Sequence, residues 1–294
     1  MFLQGDAALQ RHNGLRVFEA KGCMEHMEQS VDRWLRNALA QAQQPPLRPR
    51  QCLGIGGHVV GTVEQEFIQC LGADVLQANG LALNWSHGLW QVQGEGDATG
   101  CLNRLAQAMR AAGHCGAWRN EQLAVCNAQG RRIATIERGA VRPLGIATQA
   151  VHLVGAVADG RIWVQQRADD KPTNPGKWDT LMGGMVSAED TLAQAVERET
   201  WEEAGLRVGD LQDMRHGGHV DFARPSQEAE GQGYMRERID WYAVTVPQGL
   251  HPDNQDGEVQ GFELLERREV VQWLLEDRFT PEASLVLAAY FGWQ

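Results

Sequence analysis

GGMVSAEDTLAQAVERETWEEAGL, residues 183–206, joins a glycine pair, a short loop and a helix carrying four glutamates. Asp190-Thr191 supplies an N-cap signal, Leu192, Ala195 and Val196 recur at helical spacing, and Gly205 offers a stop. Glu199, Glu202 and Glu203 stand at i, i+3 and i+4, so the three carboxylates share one face. Like charges that close repel by a few tenths of a kcal/mol per pair, roughly, even when solvated. A divalent cation between them removes that penalty. Oxygen-only ligands on a rigid helix suit Mg²⁺ or Mn²⁺, whereas zinc would want His or Cys, which this stretch lacks. The plain alternative is an acidic, solvated helix face, which is what most charge runs are.

The surroundings of the run favour the metal. From Gly184 the order is five other residues, Asp190, seven others, Arg198-Glu199-Thr200, one other, Glu202-Glu203, one other, then Gly205-Leu206. This resembles the Nudix box, the signature of hydrolases that cleave diphosphates linked to another moiety. Two positions depart from it: Asp190 stands where the family has Glu, and Thr200 where it prefers an aliphatic residue. The resemblance implies an α/β fold, an α/β/α sandwich with a mixed sheet. It makes Glu199, Glu202, Glu203 and the Gly183 carbonyl the metal ligands, and Arg198 the brace of the glutamates. Glu258, in a turn after the box, matches the place where several family members carry an extra metal-binding or basic glutamate.

The 294 residues suffice for two modest domains, and no run of about 18 apolar residues suggests a membrane span. The first residues, MFLQGDAALQRHNG, lack the charged-then-apolar build of a signal peptide, so a cytoplasmic location is expected. All six cysteines fall in the first half without a CxxC pair, which predicts reduced thiols, most of them buried. Residues 1–145 hold 14 Lys and Arg against 12 Asp and Glu; with the whole chain at −11, residues 146–294 carry −13. An acidic half does not attract nucleic acid or a membrane surface, yet it can hold a small phosphorylated substrate through metal ions. Lysine is confined to Lys21, Lys171 and Lys177, two of them near the box.

In chain order, an α+β accessory domain is expected over 1–143. Met24 to Gln44 is patterned as an amphipathic helix, with Met24, Met27, Val31, Trp34, Leu35 and Ala38 on one side. Cys52–Val63 is expected as a strand with a glycine-rich turn, Glu64–Leu71 as a short helix and Leu81–Val92 as a single strand. Gly100–Ala112 should form a helix, and Leu123–Asn127 with Arg132–Arg138 a hairpin. Gly54-Ile55-Gly56-Gly57-His58 has the wrong glycine spacing for a dinucleotide loop and is read as a plain turn. Trp118-Arg119-Asn120-Glu121 is a polar, aromatic loop, equally a cleft wall or a surface turn. A boundary falls between Arg138 and Gln149, at Gly139, Pro143 and Gly145.

The hydrolase domain is expected over 144–294. Val151–Ala158 and Ile162–Arg167 flank Asp159-Gly160-Arg161 as a hairpin. A loop with Pro175-Gly176-Lys177-Trp178 leads to the box, an order that is similar to that of Nudix proteins. His216–Phe222 and Ile239–Val246 are expected as strands around a polar loop, Ala223–Arg238. His216 and His219 are read as strand positions rather than ligands. A turn and strand over Asp256–Leu265 and helices at Val270–Leu275 and Pro281–Tyr290 close the chain. Thr173–Gly176, Asp256–Phe262 and Arg278–Phe291 look like a Nudix branch that is fused to thiamine pyrophosphokinase in fungi and also carries an N-terminal module. That resemblance implies hydrolysis of thiamine diphosphate, or its oxidised and damaged forms, to the monophosphate.

Arg167 and Lys177 are expected on phosphate oxygens, and Trp118, Trp178 and Trp241 around a cationic ring. The N-terminal module is expected to shape the pocket or a dimer contact, and a homodimer stays open. A nucleoside diphosphate-X or nucleotide-sugar pyrophosphatase is the alternative. An isopentenyl diphosphate isomerase would need a catalytic cysteine, and residues 146–294 have none. A non-catalytic binding module would usually lose box glutamates that are kept here.

Overall fold

In the computed structural model, residues 27–226 and 233–293 are described. Met24, Lys21, Cys23 and the opening MFLQGDAALQRHNG therefore lie outside the described residues, as do positions 227–232 of the expected polar loop. Helix α1 runs over 27–42. Its apolar stripe turns Leu35 and Ala42 into the core of the C-terminal sheet, Trp34 meets Trp293 edge-on at 6.1 Å, and Met27 stays exposed. The Gln44 amide then donates to the Ala223 carbonyl at 2.8 Å. This helix packs on the second half of the chain, across more than a hundred residues of sequence.

The next layer is a four-stranded sheet built from β1 (Arg50–Ile55), β2 (His58–Glu64), β3 (Leu81–Ser86) and β4 (Leu89–Gly94), in the order β2-β1-β4-β3. Gly56 and Gly57, at φ +56° and +80°, make the tight β1–β2 turn. The single strand expected over 81–92 is a hairpin instead. His87 and Gly88 both take positive φ, the geometry of a two-residue hairpin loop, and split it in two. Helices α2 (Gln65–Leu71), α3 (Ala73–Ala78) and α4 (Ala98–Ala111) follow the strands; α3 had no signal in the sequence reading. Hairpin β5 (Gln122–Cys126) and β6 (Arg132–Glu137) packs on α4. The segment after it, punctuated like a linker, is core: Ala140, Val141, Leu144 and Ile146 are essentially fully buried. The Thr62 amide bonds the Leu144 carbonyl at 2.8 Å.

The second sheet is mixed. β7 (Thr148–Ala156) lies at its centre, parallel to β12 (Gly233–Thr245) and antiparallel to β10 (Met182–Met185), with β8 (Ile162–Arg167), β9 (Trp178–Asp179), β11 (Gln212–Ser226) and β13 (Val259–Leu265) completing it. β11 and β12 pair as far as Ser226 and Gly233, so most of the expected polar loop is strand. Helices α5 (Leu192–Ala204), α6 (Arg267–Leu275) and α7 (Pro281–Tyr290) cover the sheet. The result is an α/β/α sandwich with a mixed sheet, preceded by an α+β region. Among the described residues no helix is long and apolar enough to cross a membrane. The five described cysteines are free, but only Cys101 is buried, because Cys52 and Cys70 sit on outward-facing positions.

Candidate active site

Helix α5 is fixed at both ends. The Thr191 hydroxyl accepts from the Gln194 amide while the Gln194 side chain accepts from the Thr191 amide, and Gly205 caps the other end at φ +62°. Both signals sit where the spacing put them, with Thr191 rather than Asp190 as the cap. The three glutamates on the shared face grade from core to solvent: Glu203 is 3% exposed, the Glu199 side chain is largely buried and that of Glu202 is 41% exposed.

Strand β10 is laid against that face. The Gly183 amide donates to Glu203 Oε2 at 2.9 Å, and Gln165 Nε2 on β8 donates to the same oxygen at 2.7 Å. A Cβ on Gly184 would fall on the Glu199 carboxylate, and one on Gly183 on the His152 ring, so only glycine admits this approach. Arg198 runs along the row. It donates to Glu199 at 2.8 Å, to Glu202 at 2.9 Å and twice to Asp190, at 2.7 and 2.9 Å. Asp190, though shorter than the glutamate of the family pattern, anchors the guanidinium fully. Burial works against the Arg198 charge, but Glu199 and Asp190 overcome it and hold the cation firmly protonated.

Burial pushes the Glu199 carboxyl up to about 7, against the pull of Arg198, and pushes Glu203 up to about 8 with Glu199 adding to it. Two desolvated carboxyls facing one cleft want a positive charge between them. Among the described residues no three His, Cys, Asp or Glu side chains already converge as a metal cage, and Arg198 bridges Glu199 and Glu202. The donor chemistry fits a hard divalent cation nonetheless: the donors are oxygens only, two are desolvated, and Gln165 Oε1 beside them is buried without a partner.

The cleft they face holds about 850 Å³ and is lined from both halves of the chain. Glu258 lies in it against Lys171. Burial raises its pKa, but Lys171, Arg138 and Arg167 outweigh burial and keep it below the usual carboxylate range. Arg167 also lines the cleft, with its guanidinium on the Thr173 carbonyl at 3.1 Å. The other expected substrate residues are not among those lining the cleft. Lys177 turns to Asp277 at 3.1 Å, away from the cleft, and Lys171 takes its place there. Trp178, 8% exposed, packs on Trp273; Trp241, 5% exposed, covers Gly217 and meets Tyr290. Trp118 lies under the Arg110 guanidinium at 4.5 Å and bonds Asn120, anchoring its loop rather than walling the cleft. His216 pairs with Asp240 at 3.0 Å and His219 lies beside Asp221; neither lines the cleft. Arg119, Arg138, Arg142 and His152 do line it, and of these only Arg119 belongs to the loop whose polar, aromatic composition suggests a cleft wall.

The mixed sheet thus presents buried carboxylates and a row of cations to one cleft. The NUDIX domain family model matches residues 148–289. Nudix hydrolase YfcD of Shigella flexneri is 31% identical over 175 residues, 58% of this chain and 86% of that protein. The chain belongs to the Nudix hydrolase family. Protein YJR142W of Saccharomyces cerevisiae is 26% identical over 186 residues, 59% of this chain and 54% of its own. Chloroplastic Nudix hydrolase 24 of Arabidopsis thaliana is 29% identical over 157 residues, 52% and 42%. The chain thus spans about half the length of these last two relatives.

Proposed function

We propose that the protein hydrolyses a diphosphate linked to an organic moiety and releases the monophosphate, with 1–143 and 144–294 as its two modules. The observation that carries this reading is the pair of buried carboxylates, Glu199 and Glu203, set against Gly183 and Gly184 in the cleft. Mg²⁺ or Mn²⁺ held by Glu199, Glu202, Glu203 and the Gly183 carbonyl would neutralise phosphate charge and make bound water a nucleophile near neutral pH. Arg198 keeps Glu199 and Glu202 aimed, and Gln165 with the Gly183 amide fixes Glu203. Glu258, ionised beside Lys171, is our choice for the group that accepts a proton from the attacking water. Arg167 and Lys171 receive phosphate oxygens.

For the organic half, the segments Thr173–Gly176, Asp256–Phe262 and Arg278–Phe291 support thiamine diphosphate or its oxidised forms. A second reading, a nucleoside diphosphate linked to another group, is favoured by one observation: Trp178 and Trp241 are core, Trp118 is held in its own loop, and arginines line the cleft instead. Comparative kcat/KM with Mg²⁺ tests both, using thiamine-type diphosphates against ADP-ribose, NADH and a deoxynucleoside triphosphate. A tenfold advantage for a nucleotide removes the thiamine reading. Absence of turnover on every diphosphate removes both.

A further inference from the structure

Six cationic side chains line the cleft: Arg119, Arg138, Arg142, Arg167, Lys171 and Arg224. Among the described residues, five have partners. Arg138 bonds Glu121 at 2.7 Å, Arg142 bonds Glu237 at 2.7 Å, Arg224 bonds Glu282 at 2.8 Å, Lys171 meets Glu258 and Arg167 holds the Thr173 carbonyl. The Arg119 guanidinium has none. Its backbone, by contrast, is firmly placed: the Arg119 amide donates at 2.7 Å to Glu137, a buried carboxylate on β6. The Gly116 amide bonds the Gly139 carbonyl at 2.8 Å, and a Cβ on Gly139 would crowd the Ala117 carbonyl. Asn120 beside it takes φ +56°. A fixed loop thus delivers one uncompensated cation to the wall made by the N-terminal half, in the cleft that holds the α5 carboxylates.

We propose that Arg119 binds the phosphate oxygens of the substrate, so that the N-terminal half completes the anion site rather than merely shielding it. This rests on the diphosphate-hydrolase reading above. Charge-assisted, bidentate contact is what an arginine offers a phosphate, and removing such a contact costs on the order of tenfold in affinity or more.

The test uses the full chain with Mg²⁺ and methylenediphosphonate, a diphosphate analogue that cannot be hydrolysed, in titration calorimetry. Arg119→Gln should weaken binding about tenfold or more, Arg119→Lys should recover part of it, and Tm should stay at the wild-type value because no folded contact is lost. With a cleavable substrate, KM should rise while kcat stays within about threefold. Wild-type protein that ignores the diphosphonate, or a Gln variant that binds it within twofold of wild type, overturns the proposal. Arg119-dependent binding in a protein that hydrolyses nothing on the substrate panel would leave this inference standing and remove the parent reading.

Discussion

The Gly183 amide donates to Glu203 Oε2 across 2.9 Å, tying the strand before the box helix to the most buried carboxylate on it. One hydrogen bond thus fixes the distance between this strand and the acid row. Glycine is required on the strand because the Glu199 carboxylate at Gly184 and the His152 ring at Gly183 approach too closely for any side chain. The geometry of the site is therefore set by backbone proximity as much as by the glutamates.

Gly184→Ala tests that proximity. The new Cβ would displace the Glu199 carboxylate, and misplacement of about 1 Å at a reacting centre costs on the order of 100-fold in rate. Gly209→Ala, with open space around it and ordinary φ, is the matched control and should retain wild-type turnover. Equal activity in both variants would show that Glu199 is not held by Gly184.

Metal binding should be proton-linked. Glu199 and Glu203 are raised to about 7 and 8 from the ordinary 4.5, so the folded, metal-free protein binds more protons than the unfolded chain between those values. These two groups consequently favour the fold at low pH and lose that contribution as pH rises through 7 to 8. Mg²⁺ replaces the protons, so its stabilising effect grows in the same window. Thermal scans with and without saturating Mg²⁺ should show a larger rise in Tm at pH 8.5 than at pH 6. A shift independent of pH would separate the metal from these carboxyls.

Much of this site was legible as spacing. The i, i+3, i+4 glutamates, the caps of α5 and the glycine pair are local features, and local geometry follows from sequence order. Depth was not legible: nothing in the spacing makes Glu203 core and Glu202 surface. The depth of the tryptophans was not legible for the same reason. Trp178 and Trp241 alternate on strands, and alternation does not say whether a face meets a ligand or a helix; α6 and α7 cover both. Lys177 and Lys171 differ by which side of one loop they leave, and Arg119 reaches the cleft through pairing of 116 with 139. The packing of α1 on the second sheet is a contact between distant segments, set by tertiary burial alone.

Arg142 and Glu237 carry a stability prediction. They form a buried pair at 2.7 Å, with Thr148 on the same carboxylate at 2.8 Å. Burial opposes the Glu237 charge, but Arg142 and Thr148 prevail and hold its pKa below the ordinary 4.5. Its contribution is thus fully present above that value and lost as pH falls through the folded pKa. Arg142→Leu strands a buried carboxylate and should cost about 3–5 kcal/mol at pH 7, roughly 10 °C in Tm. The gap from wild type should narrow below pH 4. A constant gap down to pH 3 would assign the loss to packing.

If the acid row of α5 performs the hydrolysis, Glu202 is the residue to probe, because its side chain is the exposed member and its loss spares the core. Turnover of the best diphosphate should be measured at saturating Mg²⁺ for wild type and Glu202→Gln, with Tm recorded for each. Matching Tm and a fall in kcat/KM of at least tenfold are expected, since even groups that only orient a metal ligand commonly cost 10–100-fold, roughly, when removed. A folded Glu202→Gln protein that keeps more than about a tenth of wild-type activity would place the hydrolysis outside this acid row.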